Sequence, residues 1–299
     1  MAGEQTYEAA GVSIDKADAV VERLRAAVES TGASGFGAFA GLHPLGDGRF
    51  LAASTDGVGT KLILARQRGA LRACGADLAA HCINDVITTG ADPLLFLDYV
   101  AANRIDLELV AELVDGAAAV CREAGVALVG GETAELPGIY REEELDFAGT
   151  CVGIVDRAAL VDGSSIAEGD AVVGFASAGI HANGFTLVRR VLETEDYDGD
   201  DLLAPTRLYL DVVRRLHGEA LGFAHVTGGG LAGNLARVVP DGLVAEIDWD
   251  AWERPPVFHW LARHVPEDEL RRVFNLGIGF LAVVRDPGEG LVIGRIVRP

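Results

Sequence analysis

Lysine is almost missing from this chain, although basic side chains are not. Of the 25 basic residues only Lys16 and Lys61 are lysines, and 45 acidic residues bring the formal net charge to -20. Contacts with nucleic-acid phosphates need clustered lysine and arginine, so this charge argues against nonspecific nucleic-acid binding. The acidic excess is typical of a high-salt cell interior, whereas the preference for arginine over lysine is typical of a codon bias.

Long apolar runs, a signal peptide and cysteine motifs are also missing. No apolar run approaches the roughly 18 residues of a membrane span, and the first residues lack the basic and apolar regions of a signal peptide. The four cysteines form no CxxC motif and lie among apolar or small residues, which favours reduced core thiols. We therefore expect a cytoplasmic protein with no membrane partner.

The most informative motif present is STDGVGTK at residues 54–61. Its residues Asp56, Gly57, Gly59, Thr60 and Lys61 place a carboxylate, two glycines, a hydroxyl and a lysine within one turn. Glycines let backbone N–H groups converge on an anion, the lysine supplies positive charge, and the carboxylate can hold a hard cation. The motif predicts a magnesium–phosphate site, and a plain tight turn is the alternative for an isolated motif.

Three further carboxylates lie where an acid needs a partner. Asp85 follows Asn84 in an apolar helix, Asp98 lies in an apolar strand, and Glu132 follows a glycine pair in a predicted turn. A buried carboxylate costs several kcal/mol unless it is paired or bound to metal. Each one alone is equally well explained by a cap or an internal salt bridge. Together with Asp56 they predict oxygen ligands for magnesium.

A second glycine-rich segment, SAGIHANG at residues 177–184, places His181 and Asn183 between a predicted strand and a predicted helix. Ligand groups usually lie at this position in α/β folds, although a locally satisfied loop histidine is the alternative. The turn TGGG at residues 227–230, followed by Asn234, repeats the theme, because a glycine turn before a helix N-terminus binds anions.

Hydrophobic periodicity predicts mixed helices and strands in both halves, with a linker at residues 156–170. We expect an α/β or α+β fold with domains at residues 1–160 and 161–299. The loop at residues 32–37 is predicted to be a flexible cover or to approach phosphate. The predicted helices cover residues 13–30, 74–89, 106–125, 185–192 and 206–217, and the predicted strands cover residues 94–100, 126–129, 147–155 and 171–176. Residues 50–54 and 61–65, which flank the DGVGTK turn, are predicted to be strand or helix-start segments.

Taken in order, these segments resemble the phosphoribosylformylglycinamidine cyclo-ligase family, also called aminoimidazole ribonucleotide synthetases. Nearly the whole chain is covered, by YEAAGV from residue 7, STDGVGTKL, CINDV, FLDYVA, LVGGETAELPG, HANG, LLAPTRLY, VTGGGLAGNLARVVP and FNLGIGF. The resemblance implies a two-domain ATP-dependent synthetase fold and a homodimer whose N-terminal strands form a barrel. Only residues 285–290 separate a predicted strand that ends near Val284 from a predicted strand at residues 291–297, where the family has a helix, so the C-terminal domain is expected to be shortened.

The resemblance also implies roles for the residues. Asp56, Asp85 and Glu132 would bind magnesium and ATP. Asp98 is a further predicted magnesium ligand, which follows from its apolar surroundings and not from the resemblance. Lys61 would contact phosphate, and His181 would move a proton or orient an amide. The backbone and side chains expected at the nucleotide are those of Gly57, Gly59, Thr60, Gly131 and Asn183.

The implied reaction is ATP-dependent closure of formylglycinamidine ribonucleotide to aminoimidazole ribonucleotide in purine biosynthesis. ATP phosphorylates the amide oxygen, so that phosphate leaves when a neighbouring nitrogen attacks the carbon. One rival is another enzyme of the same ATP-using group with a different acceptor, although selenophosphate synthetase is disfavoured because no cysteine precedes Cys74. A noncatalytic nucleotide-binding or scaffold protein is the second rival.

Overall fold

The computed structural model describes residues 5–32 and 36–299, so the middle of the predicted loop at residues 32–37 lies outside the described residues. The first half contains α1 (Ile14–Glu29), β1 (Gly41–Pro44), β2 (Arg49–Gly57), α2 (Lys61–Gln67), α3 (Leu71–Ile87), β3 (Asp92–Ala102), α4 (Leu107–Ala124), β4 (Ala127–Glu135) and β5 (Leu145–Asp156). Helices α1, α3 and α4 and strands β3, β4 and β5 follow the predicted order, whereas β1 was not predicted. Of the two segments left open as strand or helix start, residues 50–54 lie in β2 and residues 61–65 lie in α2.

The strands of the first half form one five-stranded sheet in the order β1-β2-β5-β3-β4. Neighbouring strands are antiparallel, except that β3 and β4 are parallel. Helices α3 and α4 pack on one face, where Ala52, Phe147 and Cys151 are buried against them. We call this the inner face of the sheet. The outer face carries exposed Leu97 and Tyr99.

The second half contains β6 (Ala171–Ala176), α5 (Phe185–Leu192), α6 (Leu210–Leu216), β7 (Ala220–His225), α7 (Gly230–Leu235), β8 (Val244–Ile247), α8 (Pro256–Leu261), α9 (Glu267–Val273), β9 (Ile278–Val284) and β10 (Val292–Val297). Its antiparallel sheet has the order β7-β9-β6-β10-β8. Within the described chain, β9 and β10 are joined without an intervening helix, as expected.

Three helix ends follow local capping rules. Ser13 Oγ accepts a hydrogen bond from the Lys16 N–H at the start of α1, and the Asp106 carboxylate accepts from two backbone N–H groups at the start of α4. Gly125 ends α4 in the left-handed region, with φ 74°. These three ends are encoded within a few residues.

Two predicted elements need correction. The segment with Gly131 and Glu132 is not a turn, because β4 continues to Glu135 by parallel pairing with β3, and most of this edge strand is exposed rather than buried. Helix α6 begins at Leu210 rather than at residue 206. The backbone N–H groups of Thr206 and Tyr209 are hydrogen-bonded to side chains of α3 instead, and residues 204–209 have no regular secondary structure.

The architecture is a mixed α/β fold in two parts. Neither sheet closes on itself within the described residues, so a single chain does not form the expected barrel. The domain boundary at residues 160 and 161 stays a prediction, although one sheet ends at Asp156 and the other begins at Ala171. Among the described helices, none has both the length and the apolar character needed to cross a membrane.

Candidate functional site

Helix α3 carries polar side chains along one side of an otherwise apolar helix. Asp77, His81 and Asp85 follow one another at four-residue spacing, and Asn84 comes three residues after His81, so the four lie along one side of the helix, which we call the polar stripe. The first three are buried, and the Asp85 side chain is only 13% exposed. Because buried polar groups need hydrogen-bond partners, this row determines what packs against α3.

Asp85 lies where the two sheets meet. Its Oδ1 is 2.9 Å from Nδ1 of His225, at the end of β7, and its Oδ2 accepts a hydrogen bond of 2.9 Å from Ser54 Oγ in β2. Since β2 and β7 belong to different sheets, this one carboxylate connects both halves of the protein. It is also held in a single orientation.

Asp56 is held in a similar way by His81, whose Nδ1 is 3.2 Å from Asp56 Oδ2. Burial raises the pKa of the Asp56 carboxyl, but the hydrogen bond and charge of His81 lower that pKa by more. Burial lowers the pKa of His81, yet Asp56 raises it above its usual value. The ring of His225 meets His81 edge to face at 4.9 Å, and burial keeps the pKa of His225 low despite Asp85. One ring thus favours the charged form and the other the neutral form.

Asp56 and Asp85 line an open cleft of 840 Å³, which we call the carboxylate cleft. A neighbouring cleft of 670 Å³ shares Arg237 with it and is lined by the glycine turn before α7. We call this second space the glycine cleft. The two form a groove that runs from the carboxylates to Gly228 and Gly229.

The glycine turn is fixed by Asn234, whose amide donates to the carbonyl oxygens of Thr227, Gly228 and Gly230. Asn183 also reaches this turn, since a Cβ on Gly228 would lie 3.7 Å from Asn183 Oδ1. The structure therefore places the predicted residue Asn183 beside the groove.

The other predicted nucleotide residues lie elsewhere. Gly59 and Thr60 line a separate cleft of 710 Å³ with Arg66, and Thr60 Oγ1 is 2.9 Å from Thr186 Oγ1. Gly57 is the last residue of β2, and its N–H donates to the Asp56 carboxylate. The DGVGT segment is therefore divided between two clefts, and its contact with nucleotide stays a prediction.

The structure does not group the four predicted carboxylates. Asp56 and Asp98 both pair with Gly149, so they share the inner face but are two strands, or about 10 Å, apart. Asp98 leans toward β4, where a Cβ on Gly131 would lie 2.4 Å from Asp98 Oδ1. Partial burial raises the pKa of the Asp98 carboxyl. This placement corrects the expectation that Asp98 joins Asp56 at one ion.

Glu132 lies on the other side of the sheet. It pairs with Tyr99 on the exposed outer face, whereas Gly131 pairs with Asp98 on the inner face. A register shift in β4, opposite Phe96 and Leu97, sets this alternation. Within one chain, Glu132 and Asp56 therefore face opposite sides of the sheet, which corrects their expected grouping.

Lys61 has partners that the sequence did not indicate. It is fully buried at the start of α2, and its Nζ lies 2.7 Å from Asp77 Oδ2, 2.8 Å from the His181 carbonyl and 3.1 Å from the Ala204 carbonyl. These contacts do not support the expected contact with phosphate, which stays a prediction.

His181 is buried in a left-handed conformation with φ 68°. Its Nε2 accepts a hydrogen bond from the Ala178 N–H at 3.2 Å, and its buried Nδ1 has no hydrogen-bond partner among the described residues. Burial, followed by the charges of His81 and His225, holds its pKa well below the usual value. The imidazole is therefore neutral near pH 7, and its role in proton transfer stays a prediction.

Magnesium chemistry fits two of the predicted carboxylates. Within residues 5–32 and 36–299, no three His, Cys, Asp or Glu side chains are grouped to hold a metal ion. Magnesium usually binds one or two carboxylates together with substrate phosphates and water, so it does not need such a group. Asp56 and Asp85 suit this mode, because they line one cleft and their oxygens retain lone pairs beyond the hydrogen bonds they accept.

Sequence reasoning missed Asp77, His81, Ser54 and His225. The spacing of residues 77, 81 and 85 along an apolar helix was a readable signal, since residues four apart lie on one side of a helix. Nothing in the sequence paired His225 with Asp85, because these residues lie 140 positions apart.

Comparisons with known proteins agree with this two-part organisation. Residues 37–155 match the family described as AIR synthase related protein, N-terminal domain, and residues 167–292 match the corresponding C-terminal domain. The chain is 48% identical to a phosphoribosylformylglycinamidine cyclo-ligase of Synechococcus sp. (strain CC9605), over 96% of this chain and 90% of the relative. It is also 48% identical to one from Sorangium cellulosum (strain So ce56), over 93% and 88% of the two chains. In fold it is similar to AaThiL complexed with AMPPCP and TMP, with a TM-score of 0.71, 17% identity, and coverage of 92% and 90%.

Proposed function

The chain belongs to the phosphoribosylformylglycinamidine cyclo-ligase family, and we propose that it closes formylglycinamidine ribonucleotide to aminoimidazole ribonucleotide, converting ATP to ADP and phosphate. The observation that carries this proposal is the 48% identity with a curated cyclo-ligase over 96% of the chain. The groove between the two halves supports it, because Asp56 and Asp85 face the same open space there. We place this activity in the cytoplasm, where we expect the protein.

Phosphoryl transfer is assigned to the carboxylate cleft. Magnesium, when bound with ATP, would neutralise phosphate charge there. Asp56 and Asp85 would hold that ion, and His81, His225 and Ser54 fix the two carboxylates by hydrogen bonds. Because phosphoryl transfer depends mainly on positioning and electrostatics, fixed carboxylates are what the reaction requires.

Ring closure then needs an activated carbon and a nearby nitrogen. Transfer of the γ-phosphoryl group to the amide oxygen releases ADP and makes that oxygen part of a phosphate leaving group. Attack by the neighbouring amidine nitrogen forms the ring C–N bond and breaks the C–O bond, so that phosphate leaves and the nitrogen gives up a proton. We assign the orientation of the reacting amide to Asn183 and Gly228, which lie beside the groove, together with the neutral His181.

We also propose a homodimer formed through the outer face of the first sheet. Leu97, Tyr99 and Val129 are exposed, while α3 and α4 cover the opposite face. Exposed apolar sheet faces and edge strands favour pairing with a second copy, and two such open sheets could form the expected barrel together. Glu132 would then lie at or near the interface, since it shares a face with Tyr99.

The dimer is tested by light scattering and by dilution of the active enzyme. A Leu97→Glu variant should give the mass of one chain, whereas Leu107→Glu is the control, because Leu107 is exposed on α4 away from the sheet. A wild-type mass of one chain at full turnover would refute the dimer.

The activity is tested by measuring ADP and phosphate release with and without formylglycinamidine ribonucleotide, together with formation of the ring product. We expect one ADP per ring and negligible hydrolysis without the acceptor. ATP hydrolysis that requires another acceptor would favour a related enzyme of the same group. ATP binding without any turnover would favour the noncatalytic alternative.

A further inference from the structure

We propose that Lys61 is a positioning residue that joins the two halves of the protein and fixes the turn containing His181, rather than a ligand for phosphate. The proposal rests on the proposed function only where turnover is measured, and its first test needs no activity. It concerns the lysine of the DGVGTK motif, whose type and spacing indicated a phosphate contact.

Lys61 Nζ has three oxygen partners. It donates hydrogen bonds to the His181 carbonyl at 2.8 Å and the Ala204 carbonyl at 3.1 Å, and it forms an ion pair with Asp77 Oδ2 at 2.7 Å. Among the described residues, Asp77 Oδ2 has no hydrogen-bond partner, so its attraction to Lys61 is that of charge. Asp77 belongs to the first half, whereas the two carbonyls belong to the second. The side chain therefore bridges the halves.

Burial makes this arrangement costly to leave. Lys61 and Asp77 have no exposed side-chain area, and Nζ lies 5.3 Å from the centre of the Phe185 ring. Removing one partner of a buried ion pair leaves an uncompensated charge in a low-dielectric interior. A phosphate contact would require Lys61 to break these bonds.

The acid of the pair also holds the second half. Asp77 Oδ1 accepts hydrogen bonds of 2.8 Å from both the backbone N–H and the Oγ1 of Thr206. Lys61 thus acts with Asp77 on the segment from Ala204 to Thr206, which belongs to the LLAPTRLY motif. The charge pair is therefore the centre of a junction between α2, α3 and this segment.

The consequence for the site is the conformation of His181. A left-handed backbone, φ 68° here, is unfavourable for histidine and persists only where its surroundings hold it. Lys61 binds the carbonyl of His181, and Asn275 Nδ2 donates to the carbonyls of Gly179 and Ile180 in the same turn. Without Lys61, the carbonyl of His181 itself would lose this hydrogen bond.

The first test uses the fact that the chain has only two lysines. Brief acetylation of the native protein with an N-hydroxysuccinimide ester, followed by peptide mass spectrometry, should modify exposed Lys16 and leave Lys61 unmodified, with or without magnesium and ATP. If Lys61 reacts without nucleotide and ATP protects it, the positioning role is wrong. Denatured protein, in which both lysines react, is the control for detection.

The second test separates positioning from phosphate binding. Lys61→Met combined with Asp77→Leu replaces the ion pair by apolar groups, which avoids the buried charge that Lys61→Met alone would leave. We expect the dissociation constant for magnesium-ATP to stay within about threefold of wild type while kcat falls more than about tenfold, since a lost charged phosphate contact would weaken binding by about tenfold or more.

Lys16→Met is the matched control, since it removes the other lysine from an exposed position. A dissociation constant raised about tenfold or more with kcat unchanged would overturn the proposal. Failure of the wild-type enzyme to form the ring would instead count against the proposed function, and the acetylation result would still decide the position of Lys61.

Discussion

Adjacent residues of the polar stripe should respond differently to substitution, although the sequence presents Asn84 and Asp85 as one polar pair. Asn84 is fully buried, its Nδ2 donates to the Arg207 carbonyl at 2.8 Å, and its Oδ1 accepts from the Tyr209 N–H at 3.0 Å. Asn84→Ala leaves two backbone groups without partners. At about 1–3 kcal/mol for each buried unsatisfied group, the free energy of unfolding should fall by about 2–6 kcal/mol.

Asp85→Asn should affect turnover much more than stability. The amide keeps an oxygen for His225, so we expect the free energy of unfolding to fall by about 1 kcal/mol, while loss of the negative charge should remove most turnover. Urea unfolding followed by circular dichroism, with turnover at saturating substrate, measures both quantities. Asn103→Ala is the control, because the Asn103 amide makes a single bond to the Tyr140 carbonyl. A loss below about 1 kcal/mol for Asn84→Ala, or normal turnover of Asp85→Asn, would refute this reasoning.

Three further predictions concern metal, acid stability and packing. Asp56→Asn should raise the magnesium concentration for half-maximal turnover by about tenfold, which corresponds to about 1.4 kcal/mol. Asp47→Asn is the control, because Asp47 lies on an exposed turn, and it should leave this concentration unchanged. Equal magnesium curves for the two variants would contradict the prediction. Arg254, together with Arg271, lowers the pKa of Glu267 to about 2, below its unfolded value of about 4.3. The ionised Glu267 therefore contributes to the free energy of unfolding above pH 4.3, and this contribution is lost as pH falls through 2. The side chain is 45% exposed, so solvent screens the interaction. In urea titrations, Glu267→Gln should lower the free energy of unfolding by about 1 kcal/mol at pH 6 and by almost nothing at pH 2. Gly279→Ala should unfold at a lower temperature and lose turnover, because its Cβ would lie 2.1 Å from Tyr209 Oη and 2.6 Å from His181 Cε1. An unchanged melting temperature would contradict this prediction and show that Tyr209 and His181 can move to make room for the methyl group.

Local features of this protein could be predicted from its sequence. The cap at Ser13, the cap at Asp106 and the left-handed Gly125 depend on residues within one turn of each helix end, and the structure has all three. The spacing of the motifs also identified the family, which the comparisons confirm. Motif identity needs only the order of residues along the chain.

Long-range features were decided by tertiary structure. The sequence offered Lys61 as a free charge near glycines, but its partners Asp77, His181 and Ala204 are 16, 120 and 143 residues away. Likewise, Asp85 faces His225 only because β7 packs beside α3. A side chain's environment depends on which distant segments pack around it, and local spacing carries no record of that.

The faces of the first sheet show the same limit most clearly. Side chains alternate along a strand, so a shift of one residue moves every later side chain to the opposite face. Counting from Leu128, which pairs with Phe96 on the inner face, simple alternation would put Glu132 on the inner face with Asp56. The register shift between β3 and β4 instead puts Glu132 on the outer face. The sequence therefore determined that Glu132 lies in a glycine-rich acidic motif, while strand pairing alone decided which side of the sheet its carboxylate faces.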